Sequence, residues 1–177
     1  MNKKKFKKLT KKVWYFIWDD NSIWSWIVNI ILAFVLIKFI VYPGLGFVLA
    51  TSHPVVAVVS ESMEHNMRFN AWWEKNNGWY LKNGIEMEEF GNFPLKNGFN
   101  KGDIMILFKP KNVQLGTVIV YQNNQGSTPI IHRVVIEEEN GFRTKGDHNS
   151  GQDPHLIKQD EIVGKAVLRI PLLGYIK

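Results

Sequence analysis

The chain has 177 residues, enough for one domain with a core plus appendages, and no cysteine, which removes disulfides and thiolate metal sites. Its formal charge of +6 is unevenly spread: residues 1–42 hold eight Lys against two Asp, while residues 43–177 hold fourteen basic and fourteen acidic side chains. The body is therefore neutral, and nucleic acid as a partner loses its main support.

The first twelve residues, MNKKKFKKLTKK, form a basic tail that reads as a solvated run. Ile23 to Tyr42 is then a 20-residue segment, nearly all apolar. As a helix it would be about 30 Å long, the thickness of a bilayer core. Trp14, Tyr15, Trp18, Trp24 and Trp26 gather at its start like an interfacial belt, and Lys38 lies near enough to the far end to snorkel. Pro43-Gly44 is expected to end the helix. The lysines before the span place the N-terminus in the cytoplasm and everything after Tyr42 outside the cell membrane. This divides the chain into a cytoplasmic tail (1–22), a single-pass anchor (23–42) and an extracytoplasmic domain (43–177). A cleaved signal peptide is the competing reading, with Ala50 and Ser52 near a cut, but the apolar segment exceeds the usual length for one.

Pro54 to His65, PVVAVVSESMEH, is the stretch around which the rest is organised. Val55 to Val59 reads as a short strand buried on both faces, and it stops at Ser60-Glu61-Ser62-Met63. Residues 68–100 are rich in Asn, Gly and aromatics, without a long periodic pattern, and read as an inserted excursion with a short helix at Ala71 to Lys75. Its bland role is a cap on the core. Its functional role is substrate or membrane contact through Trp72, Trp73 and Trp79.

Strand signals then return at Asp103–Phe108, Thr117–Tyr121, Ile130–Glu137, Phe142–Lys145 and Ile162–Ile170. Turn signals separate them, at Lys109-Pro110, Asn123-Asn124-Gln125-Gly126 and Asn140-Gly141. Short strands with almost no helical periodicity predict an all-β body. Chemistry-bearing residues recur at three places: Ser60 and Ser62 after the first strand, His132 inside IIHRVV, and Asp147 and Asp153 in TKGDHNSGQD. A serine needs a base to take its proton and a third group to orient that base, so Ser, His and Asp together point to a nucleophilic hydrolase. No G-x-S-x-G elbow is present. Asp147, His148, Asp153 and His155 offer metal-type donors, but they share one loop and match no standard spacing.

Four boxes in order carry a more specific signal. SESME, GDIMILF, IIHRVV and TKGDHNSGQD, with GTVIVY between them, resemble the boxes of the type I signal peptidase family. The similarity covers about 54–174, apart from the excursion. The base box carries His132 where the bacterial branch has Lys, which points to the archaeal and endoplasmic-reticulum branch. The resemblance implies a mainly β catalytic domain of antiparallel coiled sheets behind one N-terminal transmembrane helix. The implied activity is serine endopeptidase cleavage of signal peptides from secreted preproteins after small residues, with no cofactor. In its terms Ser62 would be the nucleophile, His132 the base, Asp153 the orienting acid and Asp147 a support. Ser60 would join the Ser62 N–H in holding the oxyanion. Val58, Val59, Ile104 and Ile106 would wall a site where substrate lies as an added strand. The lipid bilayer, signal peptides and a secretion translocon would be the partners. His65 departs from the family pattern, standing where Pro is usual, and the excursion is longer than the endoplasmic-reticulum enzymes need. Some relatives continue into a further membrane segment where this chain stops at Lys177. Two other readings stand beside this one: a non-catalytic membrane-anchored β module assisting exported proteins, and a dedicated processing peptidase with a narrow substrate set.

Overall fold

The computed structural model describes residues 3–109, 111–122 and 128–171. The predicted turn at Asn123–Gly126, the Pro110 stop and residues 172–174 at the end of the expected similarity lie outside them. The chain divides into two compact units, Met1–Leu45 and Gly46–Lys177.

The first unit is helical. The basic tail forms α1 (Lys3–Trp18) rather than an irregular run. Ser22 then caps α2 (Ile23–Leu36), its hydroxyl accepting from the Ser25 N–H at 3.2 Å. The apolar helix does not stop at Pro43-Gly44. It passes through a π-helical turn at Ile37–Val41 into α3 (Tyr42–Leu49), a continuous apolar stretch of 27 residues. The Tyr42 N–H donates to Ile37 O, five residues back. A widened turn just before Pro43 accommodates a ring that has no N–H and would otherwise crowd the preceding turn.

The second unit is built on a six-stranded sheet of order β1-β2-β6-β3-β4-β5, every neighbouring pair antiparallel. The strands are β1 (Val55–Ala57), β2 (Ile104–Phe108), β3 (Val118–Tyr121), β4 (Ile130–Glu138), β5 (Gly141–Lys145) and β6 (Ile162–Ile170). The last strand in sequence fills the centre, between β2 and β3. β1 corrects an expectation: it is a three-residue edge strand, half-buried rather than buried on both faces. The backbone leaves the ladder at Val58, whose N–H donates to Asp103 O and whose carbonyl accepts from the Gly102 N–H.

The excursion is more helical than its composition suggests. α4 spans Phe69–Lys82 and α5 spans Met87–Gly91. Phe69, Trp72, Trp73 and Tyr80 recur at i, i+3, i+4 and i+11, which puts all four rings on one helix face. The Asn76-Asn77-Gly78 interruption hides this pattern; Asn76 is accommodated by donating its side-chain amide to Trp72 O. Gly84, with φ of +81°, ends the segment in the left-handed conformation that glycine adopts most cheaply. Trp72, Trp73, Tyr80, Ile85 and Phe90 form one buried cluster with Val135 of β4. Trp72 and Trp73 are therefore core side chains and are not exposed to lipid or substrate, which corrects the contact role expected for them.

Candidate active site

Strand alternation on β4 sorts the chemistry. His132 and Val134 lie on one face, and Arg133 and Val135 on the other. A bulge between Val134 and Ile136 marks where the register with β5 shifts.

On the first face, His132 is 7% exposed and its Nδ1 lies 2.6 Å from Asp153 Oδ2. The same oxygen accepts from Thr144 Oγ1 at 2.6 Å and from the Tyr121 hydroxyl at 3.2 Å. Burial pushes the Asp153 carboxyl up, but hydrogen bonds from His132 and Thr144 outweigh it, and the carboxyl sits below its ordinary value. Burial, with the Asp153 charge adding to it, raises the Tyr121 phenol, so this group remains a donor. An ionised Asp153 can only accept. The imidazole therefore presents Nδ1–H to it, and in the neutral ring the lone pair then lies on Nε2.

On the second face, Asp147 is fully buried and held by Arg133, Nε to Oδ1 at 2.9 Å and Nη2 to Oδ2 at 2.7 Å. His65 Nε2 lies 3.0 Å from Oδ2. Burial would raise the Asp147 carboxyl; the Arg133 guanidinium and His65 hold it well below the usual carboxylate range. The remaining Arg133 donors go to Pro94 O, Gly116 O and Leu95 O, and its guanidinium lies over the Phe90 ring. Lys145, also buried, donates to the Tyr80 hydroxyl and Gly146 O, and burial pulls its ammonium down to about 8.

The serine segment docks on the loop that follows β5. The His148 N–H donates to Ser62 O at 2.8 Å and the Asp147 N–H faces Met63 Sδ at 3.4 Å. Gly146 is required by close approach: a side chain there would overlap the Ser62 carbonyl and the Asn149 amide. Ser62 Oγ lies 3.1 Å from Ser60 Oγ, and among the described residues it makes no hydrogen bond to His132. Ser62 is half-buried and Ser60 exposed.

The other expected residues are placed as follows. Val59 is 65% exposed, and Ile104 and Ile106 are half-buried on the face of β2 opposite Met105 and Leu107. Val58 is 3% exposed and packs in the core with Met63 and Phe99, so it does not face a substrate site. The four side chains weighed as metal ligands each have other partners: Asp147 and Asp153 as above, His148 Nδ1 with Glu64 O, and His155 Nε2 with Glu161 Oε1. Arg133, Tyr121, Thr144 and His65 were not foreseen as site residues. The signal for Arg133 was present, since an Arg inside an apolar strand demands a buried acid.

Comparisons with known proteins show which family the chain resembles. The signal peptidase complex catalytic subunit SEC11 of Lachancea thermotolerans is 30% identical over 153 residues, covering 78% of this chain and 72% of the relative. The chain belongs to the family of signal peptidase complex catalytic subunits. The subunits from Colletotrichum graminicola and Yarrowia lipolytica are 28% and 27% identical over 152 residues, each match covering 78% of this chain and 70% of the relative. No protein-family model matches the chain. These relatives are fungal. They give no support to the archaeal side of the expected branch, nor to the cell membrane as the location.

Proposed function

We propose that this family member is a membrane-bound serine endopeptidase that removes signal peptides, with Ser62 as nucleophile, His132 as base, Asp153 as orienting acid and Asp147 as support. The observation that carries the reading is the 2.6 Å contact between His132 Nδ1 and Asp153 Oδ2, on the strand whose neighbour leads into the loop holding Ser62. His132 Nε2 takes the Ser62 proton as Oγ bonds to the scissile carbonyl carbon. The oxyanion is received by the Ser62 N–H, which has no other acceptor among the described residues, and by the Ser60 hydroxyl. His132 then returns the proton to the leaving amine as the C–N bond breaks. Water repeats the cycle on the acyl-enzyme. Asp153 stabilises the imidazolium in both steps.

Val59, Ile104 and Ile106 line the apolar surface on which an extended substrate with small residues would lie. Residues 23–49 anchor the protein in a membrane, with the tail cytoplasmic and residues 50–177 on the opposite side. The relatives named are subunits of a signal peptidase complex, which favours the endoplasmic-reticulum membrane and companion subunits, with the bilayer and a translocon as further neighbours. The test is cleavage of a preprotein by the purified full-length protein. Ser62→Ala and His132→Ala should abolish it, and a serine-directed covalent probe should label Ser62. Full activity in either variant would overturn the assignment.

A further inference from the structure

His65 joins three parts of the molecule that the reaction does not itself explain. Its ring is 3% exposed and lies parallel to that of Trp72 of α4, with centroids 3.7 Å apart and planes 1° apart. Its Nε2 meets Asp147 Oδ2 at 3.0 Å. Asp147 is ionised and only accepts, so Nε2 carries the hydrogen. Nδ1 is buried without a partner among the described residues, so the ring is committed to this single bond. Gly98, at φ of +65°, passes so close that any side chain there would overlap the ring. Stacking on Trp72, close approach of Gly98 and a bond at one nitrogen fix the ring in place.

We infer that His65 is a positioning residue that ties the Ser62 segment to the strand of the base. The chain of contacts is continuous. Arg133, next to His132 on β4, grips Asp147 with two donors, and Asp147 in turn accepts from His65, three residues after Ser62. Three further contacts, His148 N–H to Ser62 O, His148 Nδ1 to Glu64 O and Asp147 N–H to Met63 Sδ, lace the same two segments together. The link through His65 is the one that reaches Arg133 through side chains alone, His65 to Asp147 to Arg133. The inference rests on Ser62 and His132 acting as proposed above. A displacement of about 1 Å between nucleophile and base is enough to cost about 100-fold in rate.

The experiment compares His65→Leu and His65→Gln with the native full-length protein in detergent or membranes, reading kcat and KM on a preprotein together with thermal unfolding. Leu fills the space without a donor, while the Gln side-chain amide reaches where Nε2 lies. The expected result is a kcat about 10- to 100-fold lower for His65→Leu with KM within about 2-fold, and recovery of most of the kcat in His65→Gln. Native kcat in a folded His65→Leu overturns the inference, as does a loss confined to KM. If His65→Leu does not fold, His65→Gln is compared with His65→Asn, whose shorter side chain falls short of Asp147; equal kcat in these two also overturns it. Absence of cleavage by the native protein would instead be a failure of the proposed function.

Discussion

Arg133 and Asp147 form a fully buried two-pronged pair, Nε to Oδ1 at 2.9 Å and Nη2 to Oδ2 at 2.7 Å, on the face of β4 opposite the His132–Asp153 pair. Two acids in one loop thus serve two sides of one strand. They do not compete for one role.

That division predicts different damage from the same substitution. Asp153→Asn keeps the size but removes the charge that stabilises imidazolium; in the worked serine-protease case such a change lowers kcat about 10⁴-fold. The variant should lose less stability than Asp147→Asn, because Asp153 is only partly buried and the Asn side-chain oxygen can still accept. Asp147→Asn should instead lose about 3–5 kcal/mol of stability, since it leaves a buried guanidinium uncompensated. Cleavage rates and thermal melts on the two variants distinguish the cases, and a stable but inactive Asp147→Asn beside an active Asp153→Asn would reverse the roles.

Arg133→Lys should fail despite keeping the charge. Lysine has one nitrogen where five donors now serve Asp147 and the carbonyls of Pro94, Leu95 and Gly116. We expect a folded-state loss of several kcal/mol, about 3 or more, with the excursion's connection loosened at Pro94 and Leu95. Limited proteolysis should then cut within residues 84–97 before the rest of the second unit; an unchanged cleavage pattern and melting temperature would contradict this.

Much of the fold was legible in the sequence. Five of the six strands fall within a residue of their expected limits because apolar runs were punctuated by strong turn residues. β1 was misjudged because Val58 and Val59 continue the apolar pattern after the ladder has ended. The helix of the excursion was concealed by Asn76-Asn77-Gly78, and the continuation past Pro43 by a local π turn that no pattern rule anticipates. Ser62, His132 and the two acids were visible as boxes. What assigns each acid its partner is the parity of His132 and Arg133 on β4, and parity becomes informative only once the strand pairing is known.

Lys145 gives the pH prediction. Burial depresses its ammonium to about 8 from the ordinary 10.5, so between those values the unfolded chain binds more protons than the folded one. Stability must therefore rise with pH across that window. Lys145→Met lacks this slope. Between pH 7.5 and 9.5 the native protein should gain about 1–2 kcal/mol relative to the variant. Parallel curves for the two would contradict a depressed ammonium. The window stops short of the region where Tyr80 and Tyr121, both raised by burial, act in the opposite sense.

If the excursion met substrate through Trp72, Trp73 and Trp79, replacing residues 69–99 by a short Gly/Ser linker would spare a short soluble peptide and impair a membrane-inserted preprotein. The buried positions of Trp72, Trp73 and Tyr80, and the Arg133 bonds to Pro94 and Leu95, change that expectation. Turnover of both substrates should fall together, by about 10-fold or more, because the segment supports Asp147 and His65. Selective loss of the preprotein would restore the substrate-handling reading.

The grip on Ser62 comes from the main-chain N–H of residue 148, whose side chain is exposed. Every amino acid except proline supplies that donor, so substitution at position 148 keeps this backbone tether and gives up only the side-chain contact to Glu64 O, whereas proline would remove both. Two residues earlier the latitude disappears, because Gly146 has no room for even a methyl group. A reporter group attached at 148 would therefore sit beside the serine while leaving that backbone tether in place.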